Sequence, residues 1–223
     1  VGAAASTTFD GAAFQLERVA DSVAQLSFYH CELTMSPTLV EWGSVARGGF
    51  LFVTGGGSVS ATSSMVHSCR ANFGGAMFIR QGSTATLIDT VVASSSADAG
   101  GCMFVTSGGL TMTGGSFQQC TALGGGGLVM QDGATAMLAH TAFHNNSATF
   151  LEGGGMSVSS ATAALQNCTF LDNRAEIASG GAVHASMSSQ VTIANSRAVG
   201  NTAGSGGGGA VSVEVSSLVV IGG

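Results

Sequence analysis

Lysine is missing altogether from this 223-residue chain, and its six basic residues are all arginine. Against them stand 12 acidic residues, for a net charge of −6. That balance excludes the basic stripe a nucleic acid requires, so no nucleic-acid partner is expected. Charge of either sign is scarce, at 8% of residues, where ordinary soluble domains carry about 25%. Trp42 and Tyr29 are the only residues of their types, too few to build the aromatic platforms on which sugars stack. No apolar run reaches the length of a transmembrane helix, so no transmembrane segment is expected. The five cysteines include no C-x-x-C pair, which argues against zinc. There is no Gly-x-Ser-x-Gly elbow. The glycine runs 124–127 and 206–209 are not followed by Lys-Ser/Thr, so they read as turns rather than phosphate loops. The chain opens at Val1 without a charged leader, which reads as a signal peptide already removed or a piece of a longer chain. Nothing calls for a cofactor.

What the chain does have is glycine, 35 residues of it, and the glycine is periodic. Gly48-Gly49-Phe50-Leu51-Phe52 recurs from Gly74, Gly100, Gly126, Gly154, Gly180 and Gly208, at spacings of 26, 26, 26, 28, 26 and 28 residues. A near-fixed period over seven copies is the signature of a solenoid. A second segment realigns from Leu26 at Val59, Ala85, Leu110, Ala136, Ala163, Val191 and Leu218. There apolar and small polar residues alternate, which is the two-residue period of a strand. A third carries Val66, Val92, Phe117, Phe143, Phe170 and Ala198, followed three residues on by Cys69, Ser95, Cys120, Asn146, Asn173 and Asn201. No unit shows a helical period. The expected fold is all-β: a right-handed parallel β-helix of about seven to eight coils, each of about 26 residues with three short strands. Residues 1–25 read as an irregular segment or partial coil. Residues 26–223 read as the solenoid, expected to continue beyond 223 because the last coil stops without a polar cap.

Stacked coils place like residues over one another at about 4.8 Å. Asn146, Asn173 and Asn201 then form an asparagine ladder at a bend, their amides bonding to one another and to turn backbone. Phe143-His144-Asn145-Asn146 and Phe170-Leu171-Asp172-Asn173 match F-x-x-N, while Gly180-Gly181-Ala182-Val183 and Gly208-Gly209-Ala210-Val211 match G-G-A-[ILV]. This pair of motifs resembles the repeats of the chlamydial polymorphic membrane proteins and similar β-helix repeat proteins, within the pectin-lyase-like superfold. The resemblance covers about residues 26–223. It implies a right-handed parallel β-helix at the cell surface, often adhesive. In the earlier coils Cys69, Ser95 and Cys120 replace the motif asparagine.

Alternation sends successive residues of the anchor strand to opposite faces. Leu51/Val53, Met77/Ile79, Met103/Val105 and Val129/Gln131 are expected inside. Phe50/Phe52, Ala76/Phe78, Cys102/Phe104 and Leu128/Met130 are expected outside. The column Phe52, Phe78, Phe104, Met130 would then be an apolar stripe that docks another protein subunit or a copy of the chain; the competing reading seals it in the core. Asn145-Asn146-Ser147 and Asn167-Cys168-Thr169 fit the N-glycosylation pattern at Asn145 and Asn167. The cysteines, Cys31, Cys69, Cys102, Cys120 and Cys168, are expected as free buried thiols, with one or two disulfides in a secreted chain as the competing reading.

Carboxylates are scattered at bends: Asp89, Asp98, Asp132, Glu152, Asp172 and Glu176. Glycoside chemistry needs two of them gathered on one face, so no catalytic residue is assigned. Glu152, Asp172 and Glu176 form a weak calcium candidate across adjacent coils. His67 and His144 share a column but lie three coils apart, about 14 Å, too far for a common metal. Regular Thr-x-Thr rows that would suit ice are expected only at Thr111 and Thr113. The sequence reads as a non-enzymatic extracellular or cell-surface β-helix that packs in an assembly or filament. The alternatives are a carbohydrate-active β-helix enzyme and a cell-surface adhesin.

Overall fold

The computed structural model describes residues 14–16, 25–29, 32–34, 47–204, 207–214 and 217–222. His30, Cys31, Trp42 and most of the expected irregular segment 1–25 lie outside the described residues. Among the described residues every regular element is a strand. The strands stack, all in parallel, into four sheets of 8, 8, 7 and 5 strands. One coil visits each sheet in turn: Met103–Thr106 in the first, Gly109–Thr113 in the second, Ser116–Gln118 in the third and Thr121–Gly124 in the fourth. From Ser96 onward the coil thus has four strands, where the sequence read three. The fourth is only two residues long in later coils, too short for an alternation to show.

Alternation fixes the inward face. In the second sheet Val59/Ala61, Ala85/Leu87, Leu110/Met112, Ala136/Leu138, Ala163/Leu165 and Val191/Ile193 are all buried. In the third, Phe117, Phe143 and Phe170 stack through the centre with ring centroids 5.2 and 4.7 Å apart. In the first, Leu51, Met77, Met103, Leu128, Met156 and Val183 form one inward column, continued by Val211. The steps between these seven residues are 26, 26, 25, 28, 27 and 28, so residues 51–211 make about six turns, where seven to eight coils were expected over 26–223.

Those steps differ from the glycine spacing in two places, the third and the fifth, because the corner falls one residue earlier than read at 126 and at 154. Gly100 and Gly101 stack under Gly125 and Gly126, since Gly101 N donates to Gly125 O and Cys102 N to Gly127 O. The corner glycine of each coil is therefore Gly48, Gly74, Gly100, Gly125, Gly153, Gly180 and Gly208, and every one of them has a positive φ, from 48° to 77°. The four-glycine run 124–127 offers three adjacent Gly-Gly pairs, and the stacking uses the middle one, Gly125-Gly126. In consequence Met130, expected on the outer column, is in the core at 0% exposure, and Val129 stands beside Phe104. Phe50 also turns inward, together with Ala76 and Cys102. It sits at the bend before the strand begins, where strict alternation has not yet started.

At the corner glycine a left-handed backbone is needed, which costs an L-residue about 1–2 kcal/mol. At the next position the reason differs. A Cβ on Gly75 would run into the carbonyl oxygen of Gly101 and the backbone of Ser96, so the pair marks a corner where coils touch backbone to backbone.

Other corners are closed by side chains. Ser64, Thr90, Thr141 and Ser196 each donate a hydroxyl to the carbonyl two residues back, at 2.9, 3.0, 3.2 and 2.9 Å. Cys168 sits in the same column, its thiol 3.5 Å from Gln166 O. In the neighbouring column Ser95 does likewise to Ala93 O at 2.9 Å, and Cys69 to His67 O at 3.4 Å. Asparagine takes over that column in later coils. Asn146 Nδ2 donates to Asn173 Oδ1 at 2.9 Å, and Asn173 Nδ2 to Asn201 Oδ1 at 2.9 Å. The expected ladder is present, with Asn146 and Asn173 fully buried.

Candidate functional site

The outer face of the first sheet meets the fourth sheet at the glycine corner, forming a notch along the solenoid. Its floor is the column Phe52, Phe78, Phe104, Val129, Ser157, His184, Ser212. Its wall is the column Arg47, Phe73, Ala99, Gly124, continuing through Glu152 and Ser179. In the early coils the notch fills itself. Phe52 stacks on Phe78 at 5.4 Å, Phe78 on Phe104 at 5.2 Å, and the Phe73 ring stands edge-on to Phe104 at 5.4 Å. Phe78 and Phe104 are each 4% exposed, and Phe52 is half-buried. These rings do point outward, but Phe73 from the adjoining wall closes over them. They form a second apolar cluster outside the core, not an open stripe.

The open apolar surface lies beside it. Leu123, Phe150, Leu151 and Ile177 are 48%, 65%, 52% and 49% exposed. They occupy three successive coils: Phe150 N and Leu151 N both donate to Leu123 O, and Ala148 pairs with Ala175 two residues before Ile177. Leu151 rests on Gly124, where an added Cβ would meet its own Cβ at 2.8 Å. The sequence held a signal for most of this patch: Phe150, Leu151 and Ile177 break into Ser/Gly-rich turns in coils longer than 26 residues.

One pair of cysteines is joined. Cys102, from the bend before the first sheet, is linked to Cys120 at the corner after the third, with Cα atoms 5.4 Å apart. The cross-link is fully buried. Cys69 and Cys168 are free and buried, so both readings of the cysteines held in part. Burial pushes the Cys69 thiol up to about 11, partly opposed by Ser95. Burial raises Cys168 as well.

Asn145 and Asn167 are exposed at left-handed corners, with φ of 51° and 53°. Asn167 Nδ2 lies 3.4 Å from His140 Nε2. Glu152, Asp172 and Glu176 do not come together. Among the described residues no group of three or more His, Cys, Asp or Glu side chains could hold a metal ion. Glu176 instead accepts from Ser147 Oγ at 3.5 Å. His184 was not singled out in the sequence, because it occupies a floor position that is aromatic or small elsewhere. It is 2% exposed, and its Nδ1 has no hydrogen-bond partner. Burial lowers its proton affinity, with Glu152 and Glu214 pulling the other way.

The coil geometry agrees with the family comparison, in which a model described as a right-handed β-helix region matches residues 49–220. The chain belongs to the right-handed β-helix family. No curated protein and no solved structure matches it significantly. In this β-helix the matched span covers the six turns from Leu51 to Val211, so handedness follows for those turns.

Proposed function

We propose that this β-helix is a non-enzymatic extracellular structural element that packs against other protein subunits in a surface assembly. The observation that carries the reading is the Leu123, Phe150, Leu151, Ile177 patch: four large apolar side chains about half or more exposed, on adjoining coils. Clustered exposure of this kind marks interfaces rather than free surface. The buried Cys102–Cys120 cross-link supports an oxidising, extracytoplasmic location. The exposed Asn145 and Asn167 are compatible with glycosylation there, and the F-x-x-N and G-G-A-[ILV] motifs favour a cell-surface repeat of the chlamydial polymorphic membrane protein kind. Sedimentation velocity tests the reading with Phe150→Ser and Leu151→Ser combined. Association by the wild-type chain, with itself or a co-purified subunit, is expected to be lost in the variant at unchanged melting temperature. A wild-type chain that binds no protein, or a variant that associates equally, would overturn it.

A further inference from the structure

The fourth sheet turns two columns outward beside the apolar patch. The first runs Arg70, Ser96, Thr121, Ser147, Arg174 and Thr202 through successive coils. The second lies two residues on, at Leu123, Thr149 and Glu176, across the buried Ala122, Ala148 and Ala175. Charge is scarce in this chain, at 8% of residues. Yet Arg174 and Glu176 stand side by side here, both exposed, on the coil that also carries Ile177. Phe150 and Leu151 lie one coil before them and Leu123 two. Among the described residues neither charge has an ion-pair partner within the chain. The Glu176 carboxylate accepts only the long bond from Ser147 Oγ, at 3.5 Å.

A cation and an anion two residues apart on one strand match their own image. When two such strands face each other in opposite directions, each residue i meets residue i+2 of the other, and the contact closes on itself. We propose that the partner on this patch is a second copy of the chain, docked about a two-fold axis. Arg174 of each copy pairs with Glu176 of the other at the edge of the shared apolar contact. A partner surface of one charge sign would pair with one of these groups and meet the other with like charge, which is costly at an interface. Any other polypeptide must happen to carry the reversed pair, whereas a second copy always carries it. The pairing also lets two chains of net charge −6 meet where their surfaces are locally neutral. This inference rests on the assembly reading above and names its partner.

The test is sedimentation velocity on four samples: the wild-type chain, Arg174→Glu, Glu176→Arg, and an equal mixture of the two variants. The wild type is expected to dimerise. Each single variant places two like-charged pairs across the contact, and its dimer Kd should rise roughly tenfold or more. In the mixture one chain carries two acids and the other two arginines, so both cross-contacts are again opposite in sign. A heterodimer of wild-type affinity is expected there, and its recovery also shows that both variants fold. Single variants that dimerise like the wild type, or a mixture that stays dissociated, would overturn the proposal. A wild-type monomer that holds a different co-purified subunit would overturn it too while leaving the assembly reading standing. Association lost in the Phe150/Leu151 variant but untouched by either charge reversal would separate the two readings in the same way.

Discussion

Asn146 and Asn173 are one coil apart and share two hydrogen bonds: the backbone N and the side-chain Nδ2 of Asn146 both donate to Asn173 Oδ1, at 3.1 and 2.9 Å. Asn173 Nδ2 in turn reaches Phe143 O at 2.9 Å. Removing that amide would strand a buried N–H and a buried carbonyl. Asn173→Ala is expected to cost roughly 2–5 kcal/mol, read as a lower urea midpoint. Asn201→Ala, at the half-buried end of the ladder, should cost less.

Gly75→Ala should be far more damaging than Gly82→Ala. The first would press a methyl into the backbone of the coil above, and a loss above about 4 kcal/mol or failure to fold is expected. Gly82 has a φ of +72° but open space around it. Only the left-handed penalty of about 1–2 kcal/mol applies there. Thermal unfolding of the two variants side by side checks the ordering.

The coil below the disulfide carries Ala76 and Ser95 where this coil has Cys102 and Cys120. The double variant Cys102→Ala, Cys120→Ser copies that coil and isolates the cross-link. Closing a loop of 18 residues is worth about 3 kcal/mol, so a loss of that size is expected in chemical denaturation. Reducing agent should lower the wild-type midpoint toward the variant and leave the variant unchanged.

Cys69 and Cys168 are expected to resist alkylation in the folded chain. With the Cys69 thiol held up to about 11 and both side chains buried, almost no accessible thiolate exists at neutral pH. Peptide mapping after iodoacetamide should find both unmodified until denaturant is added. Cys168→Ser should be nearly neutral, because Ser196 fills the same socket one coil on.

His184 makes stability depend on pH in a definite direction. Its folded proton affinity lies below the ordinary histidine value, so the unfolded chain binds more protons as pH falls. Stability should therefore rise with pH up to about 6.5 and be lost progressively below it. Unfolding midpoints measured across that window should show the slope, and His184→Gln should flatten it. Glu152→Gln should steepen it, since Glu152 favours the charged ring.

The period, the parallel stacking and the inward faces of the second and third sheets were legible in the sequence because each repeats in every coil, and the asparagine ladder because it repeats in three successive ones. What escaped it were features that occur once. The slip at glycines 124–127 was hidden because four identical residues carry no register, and Met130 was misplaced with them. The sealing of Phe78 and Phe104 depends on Phe73, which belongs to a different sheet of the preceding coil. The Cys102–Cys120 link needed the distance between two corners, which spacing alone does not give. His184 was hidden for the same reason: its acids come from the coils before and after it.

Among the described residues each coil's strands pair only with those of the coil directly before and after it in the stack, so nothing described staples the molecule along its axis. Pulled from its two ends, it should yield in steps, one turn peeling at a time. Each step would release 25–28 residues, or about 90 Å of contour. The coil closed by Cys102 and Cys120 is the exception: with 18 residues of its contour locked, it should give a visibly shorter step than the rest.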